Sequence, residues 1–188
     1  MFNRKLLLGA AACIAAGAFA APANASIVVL GNSNARLCFE AADSPGLPEA
    51  RDIRSCDEAL LHETMTNYDT VATQVNRGIL RLRLGRIDEA ISDFDRAIAM
   101  DPNQPESYLN KGAALLRREN AAEAMNLFTM ALARNTTRPA IAHYGRAIAN
   151  ETLGNLSAAY RDYTAASQMA PNWSEPRVEL TRFRVISR

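Results

Sequence analysis

Histidine, cysteine and tryptophan are scarce in this 188-residue sequence, which contains two, three and one of them respectively. Zinc and haem sites need closely grouped His, Cys or carboxylate ligands. The two histidines, His62 and His143, lie far apart in the chain, and neither has a thiol or acidic motif beside it. We therefore predict no metal site and no cofactor.

Motifs that carry catalysis are also missing. The sequence has no G-x-S-x-G nucleophile elbow, no G-x4-G-K-[ST] phosphate loop and no glycine-rich dinucleotide loop. Two acidic pairs, Asp57-Glu58 and Asp88-Glu89, occur near predicted helix N-termini, where carboxylates interact favourably with the helix dipole. That placement favours a structural role over acid–base catalysis, so we predict that the protein is not an enzyme.

Neither sign of charge predominates, because 21 Lys and Arg residues are balanced by 20 Asp and Glu residues, a formal net charge of +1. Binding nucleic acid through bulk electrostatics requires a clear excess of positive charge. Loss of Arg4 and Lys5 with an N-terminal leader would change the net charge from +1 to −1. We predict no nucleic-acid partner.

The first residues carry the pattern of a secretory signal peptide. Arg4 and Lys5 precede an apolar run from Leu6 to Ala21, and Ala23-Asn24-Ala25 forms a small-x-small cleavage site. We expect cleavage after Ala25 and a periplasmic or secreted mature protein.

Two alternatives to a cleaved leader fit this segment less well. A membrane anchor needs about 20 apolar residues, and the run from Leu6 to Ala21 is shorter, so we predict no integral membrane span in the mature chain. Acylation of Cys13 as a lipoprotein conflicts with the apolar run continuing beyond that residue.

One residue pattern recurs three times along the chain, in steps of 34 and then 35 residues. The three copies are Gly85-x4-Ala90-x3-Phe94-x2-Ala97-x4-Pro102, then Ala124-x3-Phe128-x2-Ala131, then Gly154-x4-Ala159-x3-Tyr163-x2-Ala166-x4-Pro171. Gly78 and Gly112 are also 34 residues apart, and Tyr108 stands four residues before Gly112. Small residues allow the two helices of a hairpin to approach closely, and the aromatic ring fills the space between them.

This pattern resembles the tetratricopeptide repeat family over residues 71–171. The resemblance implies an all-α fold: a right-handed superhelical solenoid of helix hairpins, with a C-terminal capping helix here, that binds a protein or peptide partner. One departure is Thr136, which stands where the second unit should have the proline that stops its second helix. We expect Pro139 to stop that helix instead.

The chain divides into five parts on this interpretation. They are a signal peptide (1–25), a short N-terminal arm (26–35), a degenerate helical hairpin (36–67), three repeat units in 68–171 (68–102, 105–138 and 140–171), and a capping helix (172–188). We expect the last helix to extend to about Val185, with Val178, Leu180 and Phe183 packed on the third unit. Arg177, Arg182, Arg184 and Arg188 would then face solvent.

Cys38 and Cys56 are the two cysteines that remain after leader removal. An exported protein folds in an oxidising compartment, where two thiols usually pair. We predict a disulfide across the degenerate hairpin, with Cα atoms about 4.4 to 6.8 Å apart. Two buried free thiols are the alternative.

Opposite charges recur at one spacing inside the repeats. Arg77 precedes Asp93, and Arg146 precedes Asp162, by sixteen residues. We expect both pairs to join the two helices of a hairpin, and we expect no comparable bridge between Lys111 and Asn126, which are fifteen apart in the middle unit. The alternative is that Arg77 or Arg146 binds a ligand.

The concave groove is the predicted binding site, because the resemblance places the first helix of each hairpin on that surface. The residues expected to line it are Val75, Asn76, Ile79, Arg83, Leu109, Asn110, Ala113, Arg117, Tyr144 and Ile148. Asn76 and Asn110 can hydrogen-bond a peptide backbone, since a carboxamide offers both a donor and an acceptor. Alternatively, the apolar members only pack against neighbouring helices.

Some members of the family hold a chaperone's terminal carboxylate with cationic and amide side chains. The corresponding places here are Val75, Ile79, Asn110, Ile141 and Gly145, and only Asn110 agrees with that clamp. We therefore expect an extended segment or a partner helix as the ligand. The alternative is a structural or assembly role in the cell envelope, through self-association or docking; nothing in the sequence specifies an oligomeric state.

The leader predicts that Ser26 is the first residue of the exported protein. The intact mass of protein recovered from the periplasm or medium should equal that of residues 26–188. A mass that retains residues 1–25, or that includes diacylglycerol on Cys13, would contradict this expectation.

Overall fold

In this computed structural model, the structure describes residues 5–8, 25–29 and 33–186, with 5–8 and 184–186 described by their backbone alone. The helices are α1 (Asn34–Asp43), α2 (Ala50–His62), α3 (Asn67–Arg83), α4 (Ile87–Met100), α5 (Pro105–Arg117), α6 (Ala121–Ala133), α7 (Pro139–Thr152), α8 (Leu156–Met169) and α9 (Glu175–Leu180). Two short strands, β1 (Lys5–Leu8) and β2 (Phe183–Ile186), complete the elements.

Consecutive helices pack as hairpins, which stack into a solenoid. α3 packs on α4, α5 on α6 and α7 on α8, while α1 and α2 form the expected fourth hairpin. The first helices also contact one another in sequence, α1 with α3, α3 with α5 and α5 with α7. The all-α hairpin solenoid predicted from the repeats is thus confirmed, and the first helices form its concave side.

Glycine facing an aromatic ring sets the spacing of the hairpins. A Cβ atom added at Gly78 would lie 2.5 Å from the fully buried Phe94 ring. Phe128 is enclosed twice, because a Cβ at Gly112 would lie 3.1 Å from its ring and one at Gly145 would lie 2.4 Å from it. The Phe128 ring therefore fixes the distance within its own hairpin and the distance to the next unit.

Tight turns between the two helices of each of the three repeat units share one backbone conformation. Gly85 and Gly154 adopt φ angles of +76° and +77°, in the left-handed region that glycine enters without strain. Glu119 occupies the equivalent position in the middle unit with φ 60°. The middle unit therefore keeps the turn geometry although it has glutamate in place of glycine.

The irregular loop between the second and third units is held by a buried carboxylate. α6 ends at Ala133 and α7 begins at Pro139, so Pro139 starts the next unit and does not stop α6, which was the role expected of it. Glu106 Oε1 accepts hydrogen bonds from the backbone N–H and the hydroxyl of Thr137, both at 2.9 Å. Thr136 is buried in this loop at the position where the other units have proline.

The predicted ion pairs within hairpins are confirmed. Arg77 Nη2 lies 2.7 Å from Asp93 Oδ1, and Arg146 Nη2 lies 2.8 Å from Asp162 Oδ1. The first pair belongs to a buried network, since Asp93 is fully buried and also accepts from Arg81 Nη1 at 2.6 Å. Each of these arginines joins the two helices of its hairpin.

Lys111 is paired with two acids in the middle unit. Its Nζ lies 2.8 Å from Asp95 and 3.3 Å from Glu123, on the helices before and after α5. Asn126 is exposed on α6. The charge at this position therefore joins α5 to both α4 and α6.

The Asp162 pair is sensitive to pH. His143 Nδ1 lies 2.8 Å from Asp162 Oδ1. Burial alone would raise the pKa of the Asp162 carboxyl, but hydrogen bonds with His143 and Arg146 outweigh it and hold the pKa below its ordinary value. A carboxyl with a lowered pKa stabilises the fold above its unfolded-state pKa, and this contribution is lost as the pH falls through the folded-state value.

The predicted disulfide links Cys38 of α1 to Cys56 of α2, with Cα atoms 4.9 Å apart. Both cysteines are fully buried. The bond crosses the hairpin that begins the solenoid and lacks a preceding neighbour, so it replaces part of the packing that internal repeats receive from both sides.

The C-terminal end departs from the predicted capping helix. α9 ends at Leu180, and residues 183–186 form a strand instead of continuing as helix to Val185. The aromatic and β-branched residues of this segment favour a strand. Val178 is 61% exposed and does not cover the third unit, whereas Phe183 is buried against it, as expected.

Arg182 was expected to face solvent, but it joins the C-terminal segment to the third hairpin. Its Nη1 lies 2.6 Å from Glu151 Oε1 on α7, and it also pairs with Glu179. Glu151 is buried and also accepts a hydrogen bond from the Tyr163 hydroxyl at 2.8 Å. The cap is therefore held by a partly buried ion pair as well as by apolar contact.

The predicted leader lies mostly outside the described residues, Cys13 included. Its Lys5–Leu8 segment pairs antiparallel with Phe183–Ile186, Lys5 opposite Ile186 and Leu8 opposite Phe183. None of the helices in the described ranges combines the length and apolar character needed to cross a membrane.

The glycine–aromatic contact predicts a large effect of one methyl group. Gly78→Ala should lower the free energy of unfolding by about 1–3 kcal/mol, because the buried Phe94 ring cannot move aside. Gly46→Ala is the matched control: the nearest atom to its added Cβ is 3.7 Å away, so its effect should stay within about 0.5 kcal/mol. Urea denaturation measures both, and equal effects would contradict the spacing role of Gly78.

The disulfide predicts local loosening on reduction. Amide hydrogen exchange should rise first in residues 36–65, while α3 to α8 keep their protection, because stability in a solenoid comes from nearest neighbours. Uniform loss of protection along the chain, or two free thiols in oxidised protein, would show that the bond does not act in this way.

Candidate functional site

The concave groove already contains a peptide segment, and it belongs to the same chain. Residues 25–29 comprise the last residue of the predicted leader and the beginning of the predicted N-terminal arm, and from here on the name arm refers to these five residues. They have no helical or strand assignment and lie against α3 and α5. Ala25, Ile27 and Val29 belong to one large buried cluster that also contains four apolar residues of α3 and α5, called the apolar floor here: Val75, Ile79, Leu109 and Ala113. Four of the predicted groove residues are therefore buried in the same cluster as the inward side chains of the arm.

Asn76 binds the arm backbone through both ends of its carboxamide. The Ile27 N–H donates to Asn76 Oδ1 at 2.9 Å, and Asn76 Nδ2 donates to the Ile27 carbonyl at 2.8 Å. Asn76 is fully buried, so this paired contact is shielded from water. The predicted capacity of Asn76 to bind a peptide backbone is realised by the chain's own residue.

Asn110 holds the beginning of the arm less completely. Its Nδ2 donates to the Ala25 carbonyl at 3.3 Å and to the Glu106 carbonyl at 2.9 Å. Its Oδ1 is buried and finds no donor in the described part of the chain. At the other side of Ala25, Ser26 Oγ donates to Asp43 Oδ1 of α1 at 2.7 Å.

Side chains of the arm alternate between the groove and solvent. Ala25, Ile27 and Val29 are 1%, 6% and 5% exposed, whereas Val28 is 52% exposed. This is the period-two alternation of an extended chain resting on an apolar surface. The arm begins beside Asn110 on α5, passes Asn76 on α3 and leads towards α1, so it crosses the repeats against their order in the sequence.

Arg83 and Arg117 are used to join successive first helices. Arg117 Nη1 donates to the Leu82 carbonyl near the end of α3 at 2.6 Å, and Arg83 Nη1 lies 3.3 Å from the Ala42 carbonyl near the end of α1. Burial lowers the pKa of both guanidinium groups. Each arginine donates to backbone carbonyls near the end of the preceding first helix. These hydrogen bonds are therefore made within the solenoid.

Tyr144 and Ile148 belong to the C-terminal cluster. The Tyr144 ring centroid lies 4.7 Å from that of Trp173 and 5.6 Å from that of Tyr163, and the residue is buried. Burial raises the pKa of the Tyr144 hydroxyl to about 12. The third unit thus contributes packing for the cap and not the arm-binding surface described above.

Sequence reasoning found the two asparagines and the apolar floor but missed the occupant and Asp43. The signal was present in the alternation of small or branched apolar residues at 25, 27 and 29. Five residues are too short a run to assign a partner surface from periodicity.

Metal binding has no support in the part of the chain that the structure describes. His, Cys, Asp and Glu side chains form no group of three or more suited to an ion there. The described site offers two asparagine carboxamides, Asn76 and Asn110, beside the apolar floor.

Residues 75–139 match the sequence model of the tetratricopeptide repeat family. A curated relative, the Protein SGT1 homolog of Oryza sativa subsp. japonica, is 38% identical over 50 residues, which are 27% of this chain and 14% of that protein. The chain thus spans about a seventh of the curated relative that it matches.

Solved structures share the fold. The first TPR domain of Spaghetti (RPAP3) bound to the HSP90 peptide SRMEEVD is 27% identical with TM-score 0.57, covering 60% of this chain and 88% of that one. The NMR structure of the first TPR domain of human RPAP3 has TM-score 0.56 at 27% identity, covering 60% and 87%. MamA from Desulfovibrio magneticus RS-1 has TM-score 0.63 at 21% identity, covering 79% and 82%. The match over residues 75–139 and these structures show that the chain is similar to tetratricopeptide repeat proteins in part of its sequence and in its fold.

Proposed function

We propose that this protein is an exported, non-enzymatic interaction module that binds an extended segment of a partner protein in its concave groove. The observation that supports it is the paired hydrogen bond between the Asn76 carboxamide and the Ile27 backbone. Because both bonds go to main-chain atoms, a partner's extended backbone can make the same contacts.

The depth of the site supports a peptide ligand over an accidental contact. Asn76 is fully buried and Asn110 is 1% exposed. Burying a carboxamide is costly unless its hydrogen bonds are made, so a groove with two of them needs a ligand that satisfies them.

Acidic chaperone tails of the kind bound by the Spaghetti domain are poor candidates for this groove. At the five places of the carboxylate clamp, Val75 and Ile79 are part of the apolar floor, and Gly145 lies against the Phe128 ring. Two arginines predicted to line the groove, Arg83 and Arg117, already donate to helix-terminal carbonyls. An uncharged extended segment fits the site better.

Export is supported by the N-terminal sequence pattern and by the disulfide, since such bonds persist in oxidising compartments. In that compartment the mature chain would begin at Ser26, which lies at the groove beside Asp43.

A second candidate function is assembly through the arm. The arm is five residues long and seated in a groove that every copy possesses, so exchange between copies would give a head-to-tail assembly. Light scattering separates the two functions: groove binding predicts a monomer, and arm exchange predicts a concentration-dependent oligomer.

Asparagine variants test the groove. Asn76→Ala and Asn110→Ala should each weaken partner binding at least about tenfold, because each removes hydrogen bonds and leaves buried backbone groups unpaired. Asn126→Ala is the matched control, since the same side chain is exposed on α6. The measurement is crosslinking capture from an envelope extract, followed by titration of the purified partner.

Peptides of the captured partner should be crosslinked to residues of α3 and α5 in this chain. Circular dichroism should show unchanged helicity in all three variants. Binding that is equal in the groove variants and the Asn126 control would rule out the groove as the site.

A further inference from the structure

We propose that the arm is an internal ligand, and that a partner segment of the same chemical class must displace it to bind. This inference rests on the proposed function and deepens it. The partner segment is expected to be extended, with small or β-branched apolar side chains at alternating positions. It should have no proline at the position that faces Asn76.

The hydrogen bonds define the backbone requirement. At the Asn76 position one residue supplies both its N–H and its carbonyl, as Ile27 does. Proline has no N–H, so it cannot take this position. Any other residue with extended backbone satisfies the requirement.

Burial defines the side-chain requirement. The inward positions hold Ala25, Ile27 and Val29, all less than 9% exposed, and the outward Val28 is free to vary. The position after Ala25 carries a hydroxyl that donates to the Asp43 carboxylate. The groove therefore fits a five-residue segment whose side chains are, in order, small, hydroxyl-bearing, β-branched, of any type, and β-branched. A carboxylate at the second position would be repelled by Asp43.

The arm leaves one contact unused, which makes it replaceable. Asn110 Oδ1 is buried without a donor from the described residues, although Asn76 Oδ1 is satisfied by a backbone N–H. A partner strand that extends past the Ala25 position can supply an N–H to this oxygen. Such a ligand makes one more hydrogen bond than the arm does.

Leader cleavage would increase the difference between the hydrogen bonds that a partner strand can make and those that the arm makes. If the chain is cut after Ala25, the carbonyl that Asn110 Nδ2 contacts leaves with the leader. The arm then begins at Ser26 and covers the Asn76 end, while the Asn110 end is open to a partner.

Tethering gives the arm its advantage over a free peptide. A segment attached to α1 through a few residues competes at an effective concentration in the millimolar range. A peptide in trans should therefore bind weakly until the arm is weakened. This relation makes the proposal testable without knowing the natural partner.

The test uses the purified full chain, in the form recovered after export, and a fluorescent peptide with the sequence of residues 24–31 carrying a C-terminal solubilising lysine tag. Ile27→Ser in the protein removes an inward apolar side chain, and Val28→Ser, the matched control, changes the exposed neighbour. Fluorescence anisotropy should show the peptide binding at least about tenfold more tightly to the Ile27→Ser protein than to the Val28→Ser and unaltered proteins.

Two further variants assign the gain to the groove. Adding Asn76→Ala to the Ile27→Ser protein should abolish the tighter binding, and a peptide with proline at its Ile27 position should not bind. Hydrogen exchange gives a readout independent of peptide binding: the Ile27 amide should be protected in the unaltered and Val28→Ser proteins.

Equal peptide affinity of the Ile27→Ser and Val28→Ser proteins would overturn the inference, as would an unprotected Ile27 amide in the unaltered protein. Dimers of the unaltered protein that disappear in Ile27→Ser would also overturn it, because the arm would then occupy a second copy. The proposed function is judged separately: partner capture that depends on Asn76 would survive failure of the peptide test.

Discussion

Close approach of helices at glycine–aromatic contacts is the constraint on which the rest of this structure depends. Phe94 and Phe128 are fully buried against glycines that leave no room for a Cβ at Gly78 or Gly145. Because Phe128 touches glycines of two successive units, the same ring sets both the hairpin and the stacking of units. The curvature of the concave side, and hence the width of the groove, follows from these distances.

Charged groups then fix the relative rotation of helices that apolar packing has brought together. Asp93 is fully buried among guanidinium groups, and the Arg83 and Arg117 side chains reach the carbonyl ends of the preceding first helices. Buried ion pairs add little net stability compared with apolar groups, but they disfavour alternative packings that would leave a charge unpaired. These arginines help to define the groove by shape, although they do not present charge to a ligand.

The groove is a site whose polar groups match a peptide backbone and whose floor is apolar. In this chain the arm pairs with both ends of the Asn76 carboxamide but only with the nitrogen of Asn110. Apolar side chains of the arm are buried together with Val75, Ile79 and Leu109, and burial of such a surface reduces non-specific association. On the proposed function, partner binding and self-protection are two uses of one surface.

The sequence by itself determined the repeat, the hairpins, the ion pairs within them and the disulfide, because each depends on residues at fixed spacing in neighbouring helices. It also identified Asn76 and Asn110 as backbone-binding side chains. Tertiary structure alone decided that Ile27 pairs with Asn76, 49 residues away, that Arg83 and Arg117 cap other helices, and that residues 183–186 form a strand. These contacts join segments distant in the chain, and short patterns carry no information about which distant surface they meet.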